Sequence, residues 1–206
     1  AWGQGTPTHF VAEKVQAQKK FAWVNADYEN VGHNKDFDCK YYAAFTGIIC
    51  VSDKLCLILQ KAFPEYAAKM TTIYDINNPA TIFTMADQHC SLLNRENLTL
   101  VTVGRLVPQK GYDIAAKAAW LLKKRNVKFH WYVVGGGDSA PIEKDIAQYG
   151  ISDCFTLLGA KANPYPYMKA ADIYVQTSKF EGYCLTLAEA RMLNVPCVTT
   201  NFDVVY

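Results

Sequence analysis

The chain has 206 residues, is 50% hydrophobic and 19% charged, and contains 12 glycines, a composition that excludes disordered, collagen-like and low-complexity proteins. Its 21 lysines and arginines against 19 aspartates and glutamates leave a net charge of +2, too small to drive binding to nucleic acid or anionic lipid by charge alone. Its seven cysteines form no C-x-x-C pair, which argues against a disulfide framework and a structural zinc site.

The first 75 residues show part of an α/β pattern. Apolar runs typical of buried strands lie at 21–25, 47–51 and 70–74. Helical patterns lie at 38–45 and 54–62. The sequence NNP at 77–79 disfavours both strand and helix. We therefore predict a partial first domain over 1–75 and an interdomain connection over 76–96, which includes a helix carrying Ile82 and Met85.

From residue 98 onward, strands and helices alternate. Predicted strands lie at 98–103, 129–134, 154–158, 172–176 and 196–200. Predicted helices lie at 111–125, 141–149, 164–171 and 185–194. Strands that are apolar throughout and are each followed by a helix indicate a parallel sheet covered on both faces. The sequence therefore predicts a Rossmann-like domain over 97–206, truncated at its end.

Ligands of an open parallel sheet bind beyond the carboxyl ends of its strands, so the loops after the predicted strands are candidate sites. Four of these loops carry charged residues or glycines, and all four are expected at the same edge of the sheet. They hold, in chain order, Arg105 and Lys110, Gly135 to Gly137, Lys161, and Glu181 with Glu189. The three glycines could let a ligand approach the backbone closely, or could simply form a tight turn.

The charged residues of these loops suggest a phosphate ligand. Arg105 and Lys110 flank a strand-to-helix turn, where two cations could bind an anion, although two solvated surface charges remain an alternative. The residues at 182–185 are expected to form the amino end of a helix, whose positive dipole end favours a phosphate. Glu189 could then accept hydrogen bonds from a ribose, and Glu181 would face the group that is bonded to the phosphate.

Asp36-Phe37-Asp38 spells the D-x-D motif that holds a divalent metal in one class of sugar transferases. Here the motif precedes a helical pattern and does not follow a buried strand. We therefore interpret it as a solvated helix start, where acidic side chains stabilise the positive end of the helix dipole.

Several segments resemble one known family. They are VTVGRLVPQKGYD, VVGGGD, NPYPYMKAADIYVQTSKFEGYCLTLAEA and PCVTTN. Together they resemble the nucleotide-binding domain of retaining glycosyltransferases of family four. Members of this family carry two glutamates separated by seven residues, as Glu181 and Glu189 are here. They have the GT-B fold of two facing Rossmann domains. Upstream, KKFAWVNADYEN, KYYAAFTGIICVS and TTIYDINNPATI are similar to the acceptor-side domain of bacterial members that build capsular or surface polysaccharides.

The resemblance implies an α/β fold of GT-B type, with a Rossmann-like nucleotide-binding domain preceded by part of a second one. It also implies transfer of a sugar from a UDP-sugar or GDP-sugar with retention of configuration, without a metal ion or another cofactor. Arg105, Lys110 and Glu181 would be catalytic, the cations on the diphosphate and the carboxylate on the donor sugar, while Glu189 would hold the ribose. The other donor-binding residues would be Gly104, Gly135, Gly136, Gly137, Ala160, Lys161, Gly182, Tyr183, Cys184 and Leu185.

The expected partners are the nucleotide-sugar donor and a glycan or lipid-linked acceptor, and not nucleic acid. No apolar run approaches the roughly 18 residues of a membrane span, and the first residues lack the order of a signal peptide. We therefore expect a cytoplasmic location at the inner face of the membrane, with peripheral contact through an N-terminal region that this chain lacks. From the resemblance we expect the chain to be a fragment that binds the donor without turning it over.

The chain departs from the family pattern at three positions, one of which is Asp75, where relatives often have Asn. Many relatives have His where Asn25 stands and Gly where Cys184 stands, and a positive φ would strain a cysteine there.

A rival interpretation is an NAD(P)-dependent oxidoreductase, because Gly135-x-Gly137-x-x-Ala140 fits the dinucleotide fingerprint. The acidic residue expected about 20 positions further on is missing, and Lys161 follows instead. A catalytically silent nucleotide-sugar-binding domain is the other alternative.

Overall fold

A computed structural model describes residues 1–90 and 96–202 of the chain. Within this part the chain forms two compact units. The first comprises Ala1–Ile76 and the short segment Phe180–Cys184, and the second comprises Asn77–Lys179 and Leu185–Phe202. The polypeptide therefore enters the second unit, returns to the first for five residues, and enters the second again.

The first unit is a three-stranded parallel sheet with order β1-β2-β3. Its strands are β1 (Phe21–Val24), β2 (Gly47–Cys50) and β3 (Met70–Thr72), and its helices are α1 (Thr6–Lys14), α2 (Lys35–Tyr42) and α3 (Asp53–Ala62), with a 3₁₀ helix at Pro64–Lys69. Most positions of β2 and two positions of β1 are buried, as expected for apolar strands covered by helices, whereas in β3 only Met70 is buried. The core contains Ala22, Val24, Ile48, Leu55, Leu59 and Phe63. Helix α1 was not among the predicted elements.

The second unit is a five-stranded parallel sheet with order β6-β5-β4-β7-β8. Its strands are β4 (Leu98–Val103), β5 (Phe129–Val134), β6 (Phe155–Gly159), β7 (Ile173–Gln176) and β8 (Cys197–Thr199). Its helices are α4 (Pro79–Ala86), α5 (Tyr112–Lys124), α6 (Ala140–Tyr149), α7 (Tyr165–Lys169) and α8 (Leu185–Met192). The two parallel sheets confirm the α/β class. The strand order reverses beside β4, and such a reversal opens a crevice at the carboxyl ends of the strands.

Side-chain caps fix where three of the helices begin. Asn34 accepts a hydrogen bond from the Phe37 amide at the start of α2, and Ser52 accepts one from the Leu55 amide at the start of α3. Asn78 caps α4 in the same way, through the Thr81 amide. Each cap pairs an amide that the first helical turn leaves without a backbone partner.

The expectation that both aspartates of the D-x-D motif lie on a solvated helix start is wrong for Asp38. Asp36 is exposed, but Asp38 is buried. One oxygen of the Asp38 carboxylate lies 2.7 Å from His9 Nε2, and the other accepts a hydrogen bond of 2.7 Å from the Tyr28 hydroxyl. A buried carboxylate needs hydrogen-bond partners of this kind because burial has removed its hydration. Asp38 therefore links α2 to α1 and to the loop after β1.

Over residues 1–90 and 96–202, no helix is long and apolar enough to cross a membrane. The same ranges contain no group of three or more His, Cys, Asp or Glu side chains that could hold a metal ion.

Candidate functional site

The loops after β4 and β7 are in direct contact at the strand-order reversal of the second unit. The Thr177 hydroxyl donates to the Lys110 carbonyl at 3.0 Å, and the Lys179 amide donates to the Gln109 carbonyl at 2.8 Å. Gly111, the N-cap of α5, has a φ of 64°, and a Cβ atom there would lie 2.0 Å from the Thr177 carbonyl oxygen. Only glycine can therefore occupy this position without moving one of the two loops.

The loops after β5 and β6 meet the loop after β4 on its other side. The Leu106 amide donates to the Gly136 carbonyl at 2.8 Å, and the Gly135 amide donates to the Gly159 carbonyl at 3.0 Å. A Cβ atom on Gly136 would lie 3.2 Å from the Ala160 side chain. The structure thus brings together the predicted donor-binding residues of three loops: Gly104, Gly135, Gly136, Gly137, Ala160 and Lys161.

The two predicted diphosphate-binding cations stand on the loop after β4. Arg105 is exposed, and its side chain makes no hydrogen bond or ion pair among the described residues. The aliphatic part of Lys110 lies over Gly104, where a Cβ atom would be 3.4 Å from the lysine Cδ and Cε atoms. Tyr112 fixes the same turn, because its hydroxyl donates to the Gly104 carbonyl at 2.8 Å. The loop therefore presents positive charge from an ordered backbone, as an anion site requires.

A buried chain of polar side chains, which the sequence did not reveal as functional, supports the loop after β7. The Tyr174 hydroxyl donates to Gln176 Oε1 at 2.6 Å, and Gln176 Nε2 donates to Ser178 Oγ at 2.6 Å. Thr186 Oγ1, in the first turn of α8, lies 3.4 Å from the same Gln176 oxygen. Buried networks with satisfied partners hold one geometry. This network links the end of β7 to the start of α8, which carries Glu189.

Glu189 projects from α8 and is half-buried. One of its carboxylate oxygens accepts a hydrogen bond of 3.1 Å from the Tyr165 hydroxyl. Burial raises the pKa of the Glu189 carboxyl, and the Tyr165 hydrogen bond acts in the opposite direction. The sequence contained Tyr165 in the NPYPY segment after β6, but nothing in the pattern there pointed to a carboxylate 24 residues away.

The segment that carries Glu181 belongs to the first unit. The Ser52 hydroxyl donates to the Gly182 carbonyl at 2.9 Å, and a Cβ atom on Gly182 would lie 2.0 Å from the Asn25 carbonyl oxygen. Tyr183 packs against the core of that unit. The structure therefore divides the predicted site: Glu181, Gly182, Tyr183 and Cys184 group with the first unit, whereas Leu185 and Glu189 group with the second.

The expectation that residues 182–185 form the amino end of a helix is wrong for the first three of them. Helix α8 begins at Leu185, and Cys184 has a φ of 64°. Left-handed backbone costs a residue with a Cβ atom about 1–2 kcal/mol. Cys184 therefore carries backbone strain that a glycine at this position would avoid. Asn25 is unusual in another way, because among the described residues its side-chain Oδ1 atom is buried without a hydrogen-bond partner.

We expect Ser52→Ala to lower the free energy of unfolding by roughly 2–4 kcal/mol, because it removes a helix cap and leaves the buried Gly182 carbonyl unpaired. Asn34→Ala is the matched control, since within residues 1–90 and 96–202 the Asn34 side chain caps α2 and makes no second hydrogen bond, and we expect this variant to cost about 1 kcal/mol. Urea denaturation of both variants measures the difference. Equal losses would show that the Ser52–Gly182 hydrogen bond contributes no stability.

The chain matches the family model described as Glycosyl transferases group 1 over residues 86–205, more than half of its length. It is 25% identical over 186 residues to an uncharacterized glycosyltransferase of Haemophilus influenzae, covering 89% of this chain and 50% of the relative. It is 30% identical over 115 residues to UDP-Gal:alpha-D-GlcNAc-diphosphoundecaprenol alpha-1,3-galactosyltransferase of Escherichia coli, covering 54% of this chain and 30% of that protein. The chain thus spans half the length of the first relative and less of the second.

The fold is also found among solved glycosyltransferases. The crystal structure of HepE from Anabaena in complex with UDP and glucose matches with a TM-score of 0.73 at 18% identity, covering 90% of this chain and 54% of that one. This neighbour and others have the GT-B fold, which confirms the fold class that the sequence resemblance implied. The family match gives no support to the oxidoreductase alternative. The chain belongs to the family of glycosyl transferases group 1.

Proposed function

We propose that the protein transfers a sugar from a UDP-sugar to a glycan or lipid-linked acceptor, with retention of the anomeric configuration. The observation that carries the proposal is the positively charged turn with Arg105 and Lys110, placed at the strand-order reversal in a member of a glycosyltransferase family. Two similar proteins favour UDP over GDP: the Escherichia coli relative is a UDP-Gal transferase, and HepE was solved with UDP and glucose.

In the proposed mechanism the bond between the anomeric carbon and the diphosphate oxygen breaks, and negative charge grows on the departing diphosphate. Arg105 and Lys110 stabilise that charge more in the transition state than in the bound donor, which lowers the barrier. We propose that these two cations supply the positive field that a divalent metal would otherwise give. The remaining predicted donor-binding residues would surround the nucleotide.

Retention follows in this proposal because the acceptor hydroxyl attacks from the face that the diphosphate leaves. A new bond forms between the acceptor oxygen and the anomeric carbon, and the acceptor proton passes to the departing phosphate. Glu181 would bind hydroxyls of the donor sugar and hold it in orientation for this attack. A cytoplasmic location at the inner face of the membrane stays a prediction from the sequence.

Two measurements test the proposal. We expect calorimetry to show that UDP binds this chain with the same affinity before and after addition of EDTA. We expect proton NMR of fresh product to show the anomeric configuration of the donor. Loss of UDP binding on chelation would overturn metal independence, and an inverted anomer would overturn retention. Binding without any sugar transfer by the longest available form of the protein would favour the silent binding domain.

A further inference from the structure

We infer that Tyr165 is a positioning residue, whose hydroxyl orients the Glu189 carboxylate so that the second carboxylate oxygen accepts a hydrogen bond from a hydroxyl of the nucleotide ribose. This inference rests on the proposed function, because it assumes a nucleotide donor. It adds the first residue of helix α7 to a site whose other predicted residues lie on the loops after the strands and on helix α8.

The first support is the pairing of the two side chains. The Tyr165 hydroxyl donates to Glu189 Oε1 at 3.1 Å. Among the described residues, the other oxygen of the Glu189 carboxylate has no hydrogen-bond partner, and it is not among the side-chain atoms fully buried without one. Glu189 therefore has one oxygen fixed by the protein and one oxygen open to a ligand.

The second support is the rigidity of the element that carries Tyr165. Its backbone amide donates to Asn163 Oδ1 at 3.2 Å, and Asn163 Nδ2 donates in turn to the Met85 carbonyl at 2.8 Å and to Gln88 Oε1 at 2.9 Å. Helix α7 is thereby attached to the end of α4. A hydroxyl held in this way can fix a glutamate side chain before a ligand arrives, which reduces the entropy lost on binding.

The third support is the chemistry of the open oxygen. An ionised carboxylate only accepts hydrogen bonds, so it repels the diphosphate and can pair only with a donor. The hydroxyls of the ribose are the donors of a nucleotide that stand next to its phosphates. Glu189 is therefore suited to recognise the ribose, and Tyr165 determines which direction its free oxygen faces.

The test is calorimetry with UDP, 2′-deoxy-UDP and 3′-deoxy-UDP on the whole chain, with Tyr165→Phe, Glu189→Gln and the control Tyr167→Phe. Tyr167 lies two residues along α7, and its hydroxyl makes no hydrogen bond among the described residues. We expect the wild type to lose about 10- to 100-fold in affinity when the recognised hydroxyl is absent, as for a hydrogen bond to a charged group. Tyr165→Phe should lower the ratio of the affinity for UDP to that for the deoxynucleotide about 3- to 10-fold, and Tyr167→Phe should leave this ratio unchanged.

The outcomes separate this inference from the proposed function. Two results would overturn the inference and leave the donor site standing. In the first, UDP binds and Tyr165→Phe prefers UDP over the deoxynucleotides as strongly as the wild type does. In the second, neither deoxynucleotide binds the wild type more weakly than UDP. If UDP does not bind at all, both are overturned. In the Glu189→Gln background, Tyr165→Phe should change UDP affinity by less than about twofold, because the two residues act as one unit. Circular dichroism verifies the fold of each variant.

Discussion

In the longest available form of the protein, replacing Arg105 with alanine is expected to lower the turnover number for sugar transfer by roughly 100-fold, the scale seen when a group that stabilises transition-state charge is removed. Arg105 is exposed and its side chain makes no hydrogen bond or ion pair among the described residues, so loss of that side chain should cost little stability. Lys110→Ala should act in the same direction, because both cations stand on the turn after β4. The effect should appear mainly in kcat, since the diphosphate gains charge only as the glycosidic bond breaks.

Arg125→Ala is the matched control for this experiment. Arg125 ends α5 at the far end from Gly111, and its removal changes the net charge by the same amount. Steady-state kinetics should show a normal rate for this variant, and urea denaturation should show that all three variants remain folded. Rates close to wild type for both Arg105→Ala and Lys110→Ala would refute the assignment of the diphosphate to this turn.

Replacing Gly111 with alanine is expected to lower the free energy of unfolding by roughly 2–5 kcal/mol. Two effects combine. A Cβ atom at a φ of 64° costs about 1–2 kcal/mol. The same atom would lie 2.0 Å from the Thr177 carbonyl oxygen, so the loops after β4 and β7 would have to separate, which adds about 1–3 kcal/mol. The separation should also weaken UDP binding, because it moves the turn that carries Lys110.

Gly150→Ala is the matched control that shows the first effect alone, so the difference between the two variants measures the second. Gly150 has a φ of 61° at the end of α6, but a Cβ atom there would meet nothing within 4 Å. We expect this variant to show only the backbone strain and to bind UDP normally. Urea denaturation and calorimetry compare the two variants. If Gly150→Ala were as destabilising as Gly111→Ala, the packing of the two loops would contribute nothing measurable.

Hydrophobic patterning was sufficient to predict the strands of the second unit. The runs LTLVTV and FHWYVV, predicted at 98–103 and 129–134, coincide with β4 and β5. Such strands are buried on both faces in a parallel sheet, so nearly every residue of the run is apolar and both ends of the strand are visible in the sequence. Helix α1 was missed because only Thr8 of its nine residues is buried, so it shows no apolar stripe.

The candidate site was predictable only in part. That the loops after β4, β5, β6 and β7 meet was predictable, because parallel strands end at one edge of their sheet, while the roles of their residues stay predictions. Tyr165 and Ser52 were not predictable, since their hydrogen bonds join segments that no local pattern connects. Gln176 was not either, because its bonds to Tyr174 and Ser178 matter only once the fold has buried it. Asp38 was misread for the same reason, because its partner His9 lies on a helix that the sequence did not reveal.

By itself, the sequence determined the α/β class and the family of the protein, because apolar periodicity and short motifs are local properties of the chain. Only the tertiary structure decided which residues share a site. The two glutamates of the eight-residue spacing fall in different units. Glu181 precedes Gly182, which contacts Ser52 and Asn25, whereas Glu189 accepts a hydrogen bond from Tyr165. Hydrogen bonds and close packing act over a few ångströms regardless of separation along the chain, so this division depends on the fold and not on the motif.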